Sequence, residues 1–154
     1  MRATALICLG AGAGVIGGEL RQLRGCDVVA RSGGLVVEVA GKRARTVPVL
    51  ARFGEPLIAA GAFAGERLII GGRDPERRNL SDTLSRALCT DPSLPRLQAG
   101  RLRSTWLHEA ARSIGLQTFM AAAGVSCSQR LGDIAAQLSR ASETEMVALL
   151  QGSP

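Results

Sequence analysis

Three short apolar runs separated by two tight turns constrain the fold more than any other feature. Residues 26–31 lead into Ser32-Gly33-Gly34, residues 35–40 follow, and Gly41-Lys42-Arg43 leads into residues 44–49. A turn of two or three glycine-rich residues returns a strand beside its neighbour in the opposite direction. A parallel return needs a crossover of about a dozen residues or more. The segment reads as a three-stranded antiparallel meander.

That reading bears on the glycine-rich stretch upstream. Residues 3–9 form an apolar run, Gly12-Ala13-Gly14-Val15-Ile16-Gly17 fits G-x-G-x-x-G, and a strand ending at Arg31 could follow. Together they imitate an NADP-binding unit, in which glycines admit a pyrophosphate to a helix N-terminus and an arginine takes the 2′-phosphate. The meander supplies a hairpin where that fold needs a crossover helix. No strand-helix alternation follows residue 49, so the dinucleotide reading is the weakest of those weighed and no cofactor is expected.

Beyond Pro48 the pattern turns helical. Leu50, Phe53, Leu57, Ile58 and Phe63 recur at spacings of one to five, and residues 68–70 form an apolar run before the loop 71–79. A helix over 79–89 and a proline-bearing loop over 91–95 come next. Leu102, Trp106, Ala110 and Ile114 share one helical face, residues 116–123 form a short apolar helix, and Ser126 with Gln129 and Ser142 with Glu145 open two more. The expected class is α+β, mainly α-helical, with a small antiparallel sheet packed beside a helical bundle in a single domain spanning 1–154.

Of the 154 residues, 46% are hydrophobic, enough for one domain-sized core, and that core must be aliphatic: there are three Phe, one Trp and no Tyr. The formal charge is +6, from 19 basic residues of which only Lys42 is lysine. A basic, arginine-dominated balance favours phosphate-bearing partners, although an arginine-rich solvated surface accounts for composition alone equally well. Cys8, Cys26, Cys89 and Cys127 are too dispersed for a zinc or redox motif, and no metal site is expected. Residues 1–9 are too short to cross a membrane, which leaves a reducing cytoplasmic compartment as the expectation.

Four segments in order then carry a likeness to a known family. Residues 14–20 resemble G-L/V-R-x-x-E-L. Gly41-Lys42 with Arg45-Thr46-Val47-Pro48-Val49 resembles G-K-G-x-K-x-R-x-V-P-L, and Leu102-Arg103-Ser104-Thr105-Trp106 resembles L-R-H-T-F. Residues 115–124 resemble the short helix ahead of an L-G-H motif, with residues 127–138 as the helix that would bear a tyrosine. Over residues 4–140 the chain resembles the catalytic domain of the tyrosine recombinases, the phage integrase family.

In that family a tyrosine attacks a DNA phosphodiester, arginines and histidines hold the non-bridging oxygens, and a lysine protonates the leaving oxygen. Carried over by resemblance, the first arginine falls on Ile16, one histidine on Gly100, the later histidine on Val125 and the nucleophile near Ile134. Only Lys42 and Arg103 keep the family's residue type. Groups that act as a unit fail together, so no strand cleavage is expected. His108, the only histidine, lies five residues past Arg103 and has no evident partner.

Phosphate binding needs only cations and backbone amides, so it can outlive catalysis. The expected function is an inactive integrase-like protein, with a regulatory or accessory role, gripping duplex DNA through Arg31, Lys42, Arg43, Arg45, Arg73, Arg77, Arg78, Arg101 and Arg103. A regulatory protein-interaction domain without DNA is the alternative. By the same resemblance the family's N-terminal core-binding domain is expected to be absent from residues 1–154, and self-association or a protein partner is expected at the last helix, residues 143–150.

Overall fold

The computed structural model describes residues 1–75, 79–88, 93, 97–114, 116–125, 131, 132 and 134. Helix α1 (Arg2–Ile7) runs on without a break into a π-helical turn, Cys8–Gly12. The glycine stretch is therefore the end of a buried helix, and the break between elements comes later, at Gly14. Residues 8–15 are all buried. A Cβ on Gly10 would lie 2.6 Å from the Cβ of Leu102, and one on Gly12 would lie 2.7 Å from the Cβ of Phe53. Small residues here let neighbouring elements approach the α1 backbone, as in close-packed interiors generally. No room for a pyrophosphate is left at these glycines, in line with setting the dinucleotide reading last.

After a short α2 (Gly17–Leu20) and a 3-10 turn, Gly25–Asp27, comes the meander: β1 (Val28–Arg31), β2 (Gly34–Val39) and β3 (Arg45–Pro48). Strand order is β1-β2-β3, both pairs antiparallel, with Val37 opposite Val28 on one side and Val47 on the other. Val37, Val39 and Val47 are buried while Glu38 is exposed, the period-two pattern of a sheet with one face on the core. The sheet matches the sequence expectation to within two residues at each end.

A 3-10 turn, Ala51–Phe53, leads into α3 (Gly54–Ala64), whose buried face is Leu57, Ala60, Gly61 and Ala64. Ile58 and Phe63, two of the apolar residues that define the helical spacing in the sequence, are 50% and 57% exposed. Gly25 packs backbone against backbone on Gly61, so α3 turns its small residues and Leu57 inward and leaves Ile58 and Phe63 out. Helix α4 (Leu80–Leu88) follows, and α5 (Ala99–Ser113) crosses the glycine end of α1 with Trp106 and Ala110 buried and Leu102 half-buried. Helix α6 (Leu116–Ala123) packs against β3 and α5, and its Phe119 stacks with Trp106 at a centroid distance of 6.5 Å. The core is aliphatic around this single aromatic pair.

Cys8 is buried and Cys26 exposed, both as free thiols; burial pushes the Cys8 thiol up. Cys89, Cys127, the loop 91–95 apart from Ser93, and the helix expected to open at Ser142 lie outside the described residues; of the helix expected to open at Ser126 only Leu131, Gly132 and Ile134 are described, and these are helical. Among the described residues no helix is long and apolar enough to cross a membrane.

Candidate nucleic-acid interface

The folded chain brings the four resembling segments together around the C-terminal end of α6. A helix leaves its last carbonyls without intrahelical donors. Here two arginines from distant segments supply them: Arg45 Nε donates to the Ala122 carbonyl at 2.9 Å, and Arg103 Nη2 donates to the Ala123 carbonyl at 2.6 Å. Arg103 Nη1 also donates to the carbonyl of Gly14, at the break after α1. One side chain thus ties α5 to the glycine turn and to α6.

Arg45 is tied down further. Its Nη1 and Nη2 meet Glu19 Oε1 and Oε2 at 2.5 and 3.1 Å, a bidentate pair whose side chains are only 8% and 10% exposed. Glu19 in turn accepts from the backbone N–H of Ile16 at 3.0 Å, reaching back to cap the start of α2. Burial pushes the Glu19 carboxyl up. The hydrogen bonds from Arg45 and from the Ile16 amide, with the charges of Arg45 and Arg103, outweigh it and hold the group below the usual carboxylate range.

A depressed folded-state pKa has a definite sign. The stability it contributes is fully present above the unfolded glutamate value of about 4.3 and is lost as pH falls through the lower folded value. Glu19→Gln is therefore expected to flatten the acid limb of the stability profile below about pH 4.3. Urea denaturation midpoints across the acid range check this, and an unchanged acid limb would contradict the assignment.

Of the cations expected at a DNA backbone, Arg45 and Arg103 have their guanidinium groups engaged by the chain's own carboxylate and carbonyls. Lys42 and Arg43, in the β2-β3 turn, are exposed. The carbonyl of Arg43 accepts from Arg45 Nη1 at 3.1 Å, which sets that turn beside the Glu19–Arg45 pair. Arg101 is exposed two residues before Arg103, hence rotated from it by about 200° around α5. Arg31 is exposed and pairs with Glu38 across the β1-β2 hairpin. Arg73 is exposed in the loop after residue 70, away from this cluster, and Arg77 and Arg78 lie outside the described residues.

Beside the cluster is a polar cleft of 390 Å³ lined by Gly17, Ser81, Asp82, Ser85, Arg86 and Gly100 among others. It joins the start of α2 to the start of α5, the two places to which the sequence likeness assigns an arginine, at Ile16, and a histidine, at Gly100. Val125, 8% exposed, packs into the core, as does half-buried Ile134. The positions converge, but Ile16, Gly100 and Val125 carry no acid, base or nucleophile. Among the described residues no group of three or more His, Cys, Asp and Glu could hold a metal ion. His108 is half-buried on a different part of α5, in a shallow surface hollow with Glu109 and Arg112.

Sequence reasoning misses Glu19 as the partner of Arg45 and misses the α4 side of the cleft. Neither pairing has a local signal: 26 residues separate Glu19 from Arg45, and Ser81 to Arg86 read only as an amphipathic helix.

No family model matches the chain. No match was found among curated proteins. Among solved structures, the XerA recombinase is similar with a TM-score of 0.63 at 19% identity, over 99% of this chain and 57% of that one. The fold is tyrosine-recombinase-like. The recombinase-like domain thus spans a little over half the length of that structure. Its mainly helical architecture with a three-stranded antiparallel sheet is the one expected from the four sequence segments.

Proposed function

We propose that this recombinase-like domain binds duplex DNA through its phosphates and does not cleave it. The observation that carries the reading is the arrangement around the α6 terminus. Arg45 and Arg103 are turned inward to hold the fold, while Lys42 and Arg43 stand exposed in the adjoining turn and Arg101 on the solvent side of α5, with no acidic partner among the described residues. Exposed cations on adjoining elements suit a phosphate backbone, which is recognised by charge without sequence readout. The absence of any tyrosine, with Ile16, Gly100 and Val125 at the other family positions, supports a domain without strand-cleaving chemistry.

The test is retardation of a random duplex across a salt series. Binding is expected at low salt, and the triple variant Lys42→Ala, Arg43→Ala, Arg101→Ala should lower the log–log salt slope by about 0.9 for each phosphate that the protein no longer neutralises. A nicked-duplex substrate should gain no covalent adduct. Absence of retardation at low salt, or a triple variant that binds as the parent does, would favour a protein-interaction domain instead.

A further inference from the structure

A basic cleft lies at the other end of α1 from the Arg103 cluster. Arg2 opens α1 and Gly14 follows the π-helical turn that continues it, a separation of roughly 18 Å at the helical rise. The cleft has a volume of 570 Å³ and gathers Arg2, Arg24, Arg67 and Arg73 with Phe63 and Glu66. Four arginines and one glutamate line it. Arg24 Nη1 donates to the Glu66 carbonyl at 2.5 Å, and Arg67 donates to the carbonyls of Ala64, at 3.1 Å, and Phe63. Carbonyl partners fix these side chains without neutralising their charge.

The Arg2 and Arg73 side chains are exposed and make no ion pair or hydrogen bond among the described residues. The Arg2 side chain is nevertheless placed. Gly71 takes a φ of +88°, and a Cβ there would come within 2.5 Å of Arg2 Nε, so the guanidinium lies against a bare backbone. Phe63 is 57% exposed, whereas Trp106 and Phe119 are buried and Phe53 is half-buried. The Arg67 guanidinium sits 5.5 Å from the centroid of the Phe63 ring.

We propose that this cleft binds an unpaired nucleic-acid strand, with its phosphates on Arg2 and Arg73 and a base on Phe63. An aromatic ring beside cations is the chemistry that holds single strands, since every base offers a face to stack while the backbone needs only charge. The volume suits a ligand of nucleotide size, and bases stacked within a duplex cannot offer a face to Phe63. This site shares no residue with the duplex contacts at Lys42, Arg43 and Arg101, and it stands without them.

The probe is a short fluorescein-labelled oligo-dT titrated with the full chain and read by anisotropy. Binding is expected at low salt. Phe63→Ala should weaken it about tenfold, Phe63→Trp should retain it, and Arg2→Ala with Arg73→Ala should lower the salt slope by about 1.4. Lys42→Ala with Arg43→Ala should leave it unchanged, so this site and the duplex site fail separately. The proposal is overturned if oligo-dT does not bind, or if the Phe63→Ala and Arg2→Ala/Arg73→Ala variants bind as the parent does. It is equally overturned if a duplex of the same length competes as well as oligo-dT, or if thymidine monophosphate binds as tightly, which would assign the cleft to a free nucleotide.

Discussion

Arg45→Ala is expected to lower the unfolding free energy by about 3–5 kcal/mol, the cost of removing one partner from a buried ion pair. The arginine is nearly inaccessible and serves three elements at once: it pairs with Glu19 of α2, caps α6 at Ala122 and holds the β2-β3 turn through the Arg43 carbonyl. Removing it strands a buried carboxylate and an unpaired helix terminus together. Against a typical total of about 5–15 kcal/mol, that loss is severe. Urea denaturation of Arg45→Ala, Glu19→Ala and the double variant measures it. The double variant should lose less than the sum of the two, because no stranded charge remains. The exposed Arg31–Glu38 pair is the internal control, worth about 0–1 kcal/mol. An Arg45→Ala loss of that smaller size would show that Arg45 is not buried as described.

Gly14→Ala is expected to be comparably damaging for a different reason. Gly14 has φ +59°, and a Cβ there would fall 2.2 Å from the Trp106 ring. The left-handed backbone costs an alanine about 1–2 kcal/mol, and forcing the ring aside adds about 1–3 kcal/mol. The same residue offers its carbonyl to Arg103, so a shifted turn also loosens α5. Trp106 is the only tryptophan in a chain without tyrosine, which makes its emission a direct readout. The variant should show a red-shifted emission and a lower denaturation midpoint. Unchanged values for both would contradict the close approach of Trp106.

The meander was legible because its signal is local. Two glycine turns and three β-rich runs determine their own pairing, whereas Leu35-Val36-Val37 is apolar on both faces and only the packed sheet selects Val37 and Val39 for the core. The face of α5 was legible too, since Leu102, Trp106 and Ala110 repeat at helical spacing. The inward face of α3 was legible only in part: Leu57 is buried, but Ile58 and Phe63, which share its apolar pattern, face outward where Gly25 closely approaches Gly61. The basic residues divide in the same way. Exposure of Lys42, Arg43 and Arg101 follows from a turn and a helix start, whereas the inward commitment of Arg45 and Arg103 depends on partners far along the chain.

The sequence by itself determined the antiparallel sheet, the mainly helical remainder, the excess of arginine over lysine, and the absence of a tyrosine hydroxyl from these 154 residues. Only the tertiary structure decided which arginines are surface cations and which are internal ties. A guanidinium goes to whichever oxygen the fold places beside it, and the oxygens of Glu19, Gly14, Ala122 and Ala123 reach Arg45 and Arg103 only once α1, α2, α5 and α6 have packed together.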